Sequence, residues 1–153
     1  MSIHKNIFHT SDFICYSTIV LALILEWFFP TEIGINAILS VSTGILLSIL
    51  AWTIIFTAKY QFKKHNQKSG PNNETTLLIQ KGLFAHTRNP IYVGVVLISP
   101  ALGLIIGSIW LLLDTIPIFL LIQHFLIIPE ENYLKAKFGD AYTEYCATVR
   151  RWV

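Results

Sequence analysis

Residues 91–128 read IYVGVVLISPALGLIIGSIWLLLDTIPIFLLIQHFLII, 38 positions with one charge, Asp114. An α-helix rises about 1.5 Å per residue, so roughly 20 apolar residues cross the hydrocarbon core of a bilayer. A run of this length fits two crossings, with a tight turn near Gly107 and Ser108. Working outward, residues 35–57 form a second apolar run with no charge, and residues 13–29 a third with Glu26 near its end. Pro30, Thr31 and Glu32 end that run and turn the chain into the next. The composition agrees: 54% of the 153 residues are hydrophobic and 13% charged, against about 25% charged in soluble domains. Mean hydropathy is +0.58. These values exclude a disordered chain and argue against an ordinary soluble domain.

The expectation is an all-α, polytopic membrane protein forming one unit over residues 1–153, with spans near 13–29, 35–57, 91–107 and 109–128. Basic residues orient it. Lys59, Lys63, Lys64, Lys68, Lys81 and Arg88 lie between the second and third spans; Lys135, Lys137, Arg150 and Arg151 follow the fourth; Lys5 precedes the first. The turns at 30–34 and 107–108 hold no Lys or Arg. The positive-inside rule then makes the N-terminus, middle loop and tail cytoplasmic, which requires an even number of crossings. Asp12 precedes the first run and no small-x-small cleavage site follows, so it reads as a retained span. Ser40, Gly44 and Ser48 recur every four residues, a packing seam for another helix.

The net charge of +2 offers no broad basic surface for nucleic acid. Cys15 and Cys146 lie far apart in unlike segments, without Cys/His metal spacing. The chemistry therefore falls to the polar segments. Ser69, Gly70, Pro71, Asn72 and Asn73 mark a loop. Next comes KGLFAHTRNPIYVG, residues 81–94, where Pro90 suits the first position of a helix starting at the membrane surface. Such an N-terminus favours a carboxylate or phosphate, and Arg88 beside it could add a charge-assisted hydrogen bond. After the fourth span stand Pro129, Glu130 and Glu131, two adjacent carboxylates at a boundary where burial is costly. Gln123 and His124, inside that span, form a polar pair. From Asp140, read as an N-cap, a short cap helix carries Tyr142, Tyr145, Cys146 and Val149 on one face. Arg150, Arg151 and Trp152 then suit an interfacial anchor.

Two blocks carry a resemblance. One is Gly82-x-Phe84-x-x-x-Arg88-Asn89-Pro90-x-Tyr92-x-Gly94. The other is Glu130-Glu131-x-x-Leu134-x-x-x-Phe138-Gly139-x-x-Tyr142-x-x-Tyr145-x-x-x-Val149-x-Arg151. In this order, separated by a helical hairpin, they resemble the integral-membrane methyltransferases related to isoprenylcysteine carboxyl methyltransferase and the phospholipid methyltransferases. The likeness covers residues 75–153, with cofactor motifs at 75–94 and 129–153.

The resemblance implies an S-adenosyl-L-methionine site at the membrane surface. Carried over position by position, it implies cofactor contacts from Thr76, Leu77, Leu78, Ile79, Phe84, Asn89, Pro90, Ile91, Tyr92 and Glu130. Arg88, Glu131 and His124 are the candidates for catalysis, the latter two as proton acceptors for an amine. The acceptor is lipophilic or small and membrane-permeable: a prenylcysteine-like carboxylate, a lipid amine or a thiol. In the prenylcysteine enzymes an arginine four residues before the glutamate pair binds the substrate carboxylate. Leu126 stands there, which weakens the carboxylate option. Asn89 replaces the family histidine before the proline, and Thr76 another before the glycine. Two alternatives stay open: an NADPH-dependent membrane reductase sharing the C-terminal fold, with Lys59–Lys68 near a 2′-phosphate, and a non-catalytic membrane partner protein.

Overall fold

The computed structural model describes residues 7–65 and 77–153, with side chains from residue 13 onward. Among the described residues every regular element is helical. α1 (Ile7–Phe28) and α2 (Ala37–Lys64) are followed by a 3-10 turn (Gly82–Ala85) and α3 (Pro90–Ile106). A 30-residue helical rod, Ile109–Phe138, comes next. It is assembled from α4 (Ile109–Leu113), α5 (Thr115–Ile122), a π-turn (Gln123–Ile127) and α6 (Ile128–Phe138). α7 (Asp140–Thr148) closes the order.

Among the described residues α2 and α3 form the most extensive pairing. Its seam begins at the sequence-marked positions: Ser40 Oγ donates to the Leu104 carbonyl at 2.7 Å. A Cβ on Gly44 would lie 2.8 Å from the Ala101 oxygen. Ser48 instead bonds its own helix, donating to the Gly44 carbonyl at 2.9 Å. Beyond it the seam continues through Ala51, Ile55 and Ala58, all buried. Gly94 of α3 sits so close here that a Cβ would meet Ile55 Cγ1 at 2.5 Å. Small residues let the two backbones approach, where apolar burial alone gives no preference over lipid.

At one end a polar knot joins the two turns. Glu26 accepts from Thr31 N and Thr31 Oγ1, both at 2.8 Å, and from Ser108 Oγ at 2.5 Å. Thr31 Oγ1 accepts from Ile109 N at 3.0 Å, and Trp110 Nε1 donates to the Phe29 carbonyl at 2.9 Å. Asp114 is buried and accepts from Ser99 Oγ at 3.1 Å. Both carboxylates thus tie separate segments together.

The helices run past the apolar stretches. α2 continues beyond residue 57 to Lys64, where Phe62 packs against Phe84 and Gln61 bonds the next segment. The rod continues beyond residue 128, through Pro129 to Phe138. One sequence expectation needs correction. Asp140 is the first residue of α7 rather than its cap. Gly139 occupies the cap position at φ +55°, a reversal that glycine makes without a Cβ clash.

Two helices, Ala37–Lys64 and Ile109–Phe138, are long and apolar enough to cross a membrane; Phe13–Phe28 and Pro90–Ile106 are shorter apolar helices. The exterior is apolar as well: Phe13, Trp27, Ile38, Leu46 and Phe56 are all exposed. An apolar surface this extended belongs in lipid. The chain is a membrane-associated helical protein.

Candidate functional site

The site forms at the other end, where α2 overhangs, α3 begins and the rod emerges. Gln61, with its amide oriented as its neighbours dictate, donates to the Lys81 carbonyl and accepts from Leu83 N, each at 3.2 Å. That grip docks the 3-10 turn onto α2. Phe84 is buried there with Ala58 and Ile79, and Phe62, Leu83 and Ile91 pack around them. The Phe62 and Phe84 rings meet edge to face at 5.3 Å.

Pro90 opens α3 and is fully buried. Asn89 stands at its cap position, yet its side chain does not cap the helix. Asn89 Nδ2 donates instead to the Arg151 carbonyl at 3.0 Å, and Thr87 Oγ1 donates to the same oxygen at 3.2 Å. Arg88 N donates to the Arg150 carbonyl at 3.0 Å. The chain after α7 therefore lies across residues 87–89 as a strap.

Charges converge beneath it. Glu131 accepts from Arg88 at 3.0 Å and from the Arg151 terminal nitrogen at 2.7 Å, with Arg151 Nε at 3.2 Å from both its oxygens. The side chains of Arg88, Glu131 and Arg151 are 11%, 13% and 36% exposed. The hydrogen bond from Arg151 to Glu131 raises the arginine's already high pKa. Among the described residues Arg88 Nε is buried without a partner. Adjacent residues on a helix point about 100° apart, so Glu130 takes a different direction. It accepts from Tyr92 OH at 3.2 Å.

The π-turn sets this register. Ile128 N–H reaches back five residues to the Gln123 carbonyl. Pro129 explains it: proline lacks the N–H of a regular turn and crowds the carbonyl four residues before it. Widening the helix just upstream relieves both, and such bulges recur at functional sites. Across the turn Gln123 Oε1 accepts from Trp152 Nε1 at 2.9 Å, while Leu126 and Ile127 are fully buried. Leu126 packs with Ile118 and Ile122.

α7 forms the lid. Tyr142, Tyr145 and Val149 are buried against Leu134, Phe138 and Leu78. Tyr145 OH donates to the Phe84 carbonyl at 2.6 Å. Burial pushes the Tyr145 phenol up to about 12 and raises that of Tyr142 too, so both stay protonated donors.

The structure thus brings Arg88, Asn89, Tyr92, Glu130 and Glu131 together, with Ile79, Phe84 and Ile91 forming the adjoining apolar wall. Leu78 joins the lid cluster and Leu77 is exposed. Thr76 lies outside the described residues. His124 turns to the exposed face, its ring edge-on to Phe125 at 5.0 Å. Sequence reasoning left Trp152, Thr87 and Gln61 out of the site and left Arg151 open between a lipid anchor and a lock of the tail onto the site. Arg151 closes the second motif block and was the one with a signal. The others carry none beyond position.

A family model described as phospholipid methyltransferase matches residues 39–141, two thirds of the chain. An uncharacterized protein of Haemophilus influenzae is 42% identical over 62 residues, 40% of this chain and 98% of that protein. No solved structure matches.

Proposed function

The chain belongs to the phospholipid methyltransferase family, and from that premise we propose that it is a multi-pass, S-adenosylmethionine-dependent methyltransferase acting on a lipophilic acceptor. One observation carries the reading. Residues 88–92 and 130–131, some forty positions apart, form a single hydrogen-bonded site through Tyr92–Glu130 and Arg88–Glu131.

The donor set fits the cofactor. Glu130 is a carboxylate suited to ribose hydroxyls or an ammonium, and Tyr92 holds its orientation. Ile79, Phe84 and Ile91 offer an apolar wall for an adenine. Arg88 Nε, unpartnered among the described residues, offers a donor for an anionic group. When bound, S-adenosylmethionine supplies a methyl on a sulfonium that departs as a neutral thioether, so no acid is needed. The protein's task is then alignment and exclusion of water. The lid of α7, sealed by the Tyr145–Phe84 hydrogen bond, serves the second. Both oxygens of Glu131 are occupied by guanidinium groups, so it holds Arg88 in place rather than accepting a proton. His124 stands on the exposed face against Phe125, outside this cluster, so an amine acceptor would lose its proton to solvent. Leu126 is buried in the core and offers no charge, which favours a lipid amine or thiol over a prenylcysteine-like carboxylate.

Four crossings, with both termini and the site on the cytoplasmic side, complete the proposal. The exposed Lys59, Lys63, Lys64, Lys135 and Lys137 lie on that side. The test is calorimetric titration of the purified protein with S-adenosylhomocysteine, with NADPH and Glu130→Gln as controls. Micromolar binding that is lost in the variant supports the reading. No binding, or binding of NADPH instead, overturns it.

A further inference from the structure

We propose that Trp152 is a positioning residue for this site: its indole locks the strap whose Arg150 and Arg151 groups hold the start of α3 and Glu131. The inference rests on the methyltransferase reading for its consequence, but not for its geometry.

Three contacts seat the indole. Its Nε1 donates to Gln123 Oε1 at 2.9 Å. Its ring lies 4.5 Å from that of Phe119, tilted by 30°. It packs on the buried cluster of Ile118, Ile122, Leu126 and Ile127, which Tyr92 also touches. A tryptophan floating at the headgroups would direct its N–H to water; here that donor is spent on a rod side chain at the π-turn. The residue before it, Arg151, spends its carbonyl on Thr87 and Asn89 and its guanidinium on Glu131. The residue before that, Arg150, accepts from Arg88 N. A strap of a few residues has little burial of its own, so its order depends on whatever anchors its end. Among the described strap residues 150–153, Trp152 is the one that packs on this buried cluster. The π-turn thus serves two ends at once: it presents Gln123 to the strap and aims Glu130 and Glu131 at the motif loop.

The experiment uses the full chain in detergent with Trp152→Ala, Trp152→Phe, Arg151→Ala and the Trp152→Ala/Arg151→Ala double variant. Hydrogen exchange of the Arg88 amide reads the strap directly, and S-adenosylhomocysteine affinity reads the site. Trp152→Ala is expected to speed Arg88 exchange about tenfold or more and to weaken S-adenosylhomocysteine binding about tenfold. Trp152→Phe keeps the ring but not the N–H, and should fall between, near threefold for exchange. Because part of the Trp152 effect runs through the Arg151 guanidinium, the two binding losses should combine to less than their product. Unchanged Arg88 exchange in Trp152→Ala, or in Trp152→Phe should the alanine variant not fold, overturns the proposal. So do binding losses that multiply in the double variant. If the unsubstituted protein binds no S-adenosylhomocysteine, the methyltransferase reading fails, while the exchange measurement still decides the anchoring.

Discussion

Glu131→Gln probes the charge cluster with a near-isosteric change. In the intact protein one carboxylate faces two guanidinium groups at 3.0 and 2.7 Å. The Arg88–Glu131 arm is buried, at 11% and 13% exposure, while Arg151 is 36% exposed. Removing one partner of a buried pair costs about 3–5 kcal/mol, mostly the penalty of the charge left behind. The Arg151 arm, screened by solvent, adds less than about 1 kcal/mol. Glutamine keeps one acceptor oxygen, so the net loss is expected near the lower figure, about 3 kcal/mol. For a chain of this size that lowers the unfolding midpoint by about 6–12 °C. The assay is thermal unfolding in detergent, followed by the fluorescence of the four tryptophans. Arg88→Gln in the same background completes a double-mutant cycle. The pair should be at least about 1 kcal/mol less damaging than the sum of the singles, because no buried charge is then left alone. A Glu131→Gln midpoint within about 2 °C of the parent, or strict additivity, would refute the picture of a buried carboxylate clamped by two cations.

Two further substitutions test the surroundings. Tyr145→Phe removes the donor to the buried Phe84 carbonyl; a loss of about 1–3 kcal/mol is expected in the same unfolding assay, and none would mean that the lid is held by packing alone. Leu126→Arg places a cation at a position 0% exposed in the core. An unpaired charge there costs several kcal/mol, so size-exclusion chromatography should show aggregation, and a monodisperse, folded variant would contradict the packing around the π-turn.

Much of the helical architecture was legible because hydropathy is a property of contiguous residues. Residues 37–57, 91–106 and 109–128 of the apolar runs lie within α2, α3 and the rod. The Ser40–Gly44 seam was legible as well, since small residues at helical spacing have one common use. Helix ends were less legible. The continuation to Lys64 depends on Gln61 and Phe62 meeting the 3-10 turn, and the continuation past Pro129 on a π-turn. Both are tertiary accommodations of residues that usually read as loop or stop.

By itself the sequence determined the helical membrane character and, through two ordered motif blocks, the family to which the chain belongs. Only the tertiary structure decided which glutamate does what. Glu130 and Glu131 are neighbours with the same chemistry, and a rotation of about 100° sends one to Tyr92 and the other between two arginines. That direction follows from the register of the rod, which the π-turn before Pro129 shifts. The strap was likewise decided by packing: Arg151 and Trp152 carry no local pattern that distinguishes a lipid anchor from a clamp. Their partners, Glu131, Asn89, Thr87 and Gln123, lie 20 to 64 residues away in sequence. A linear pattern records composition and period, while such pairings depend on how helices cross.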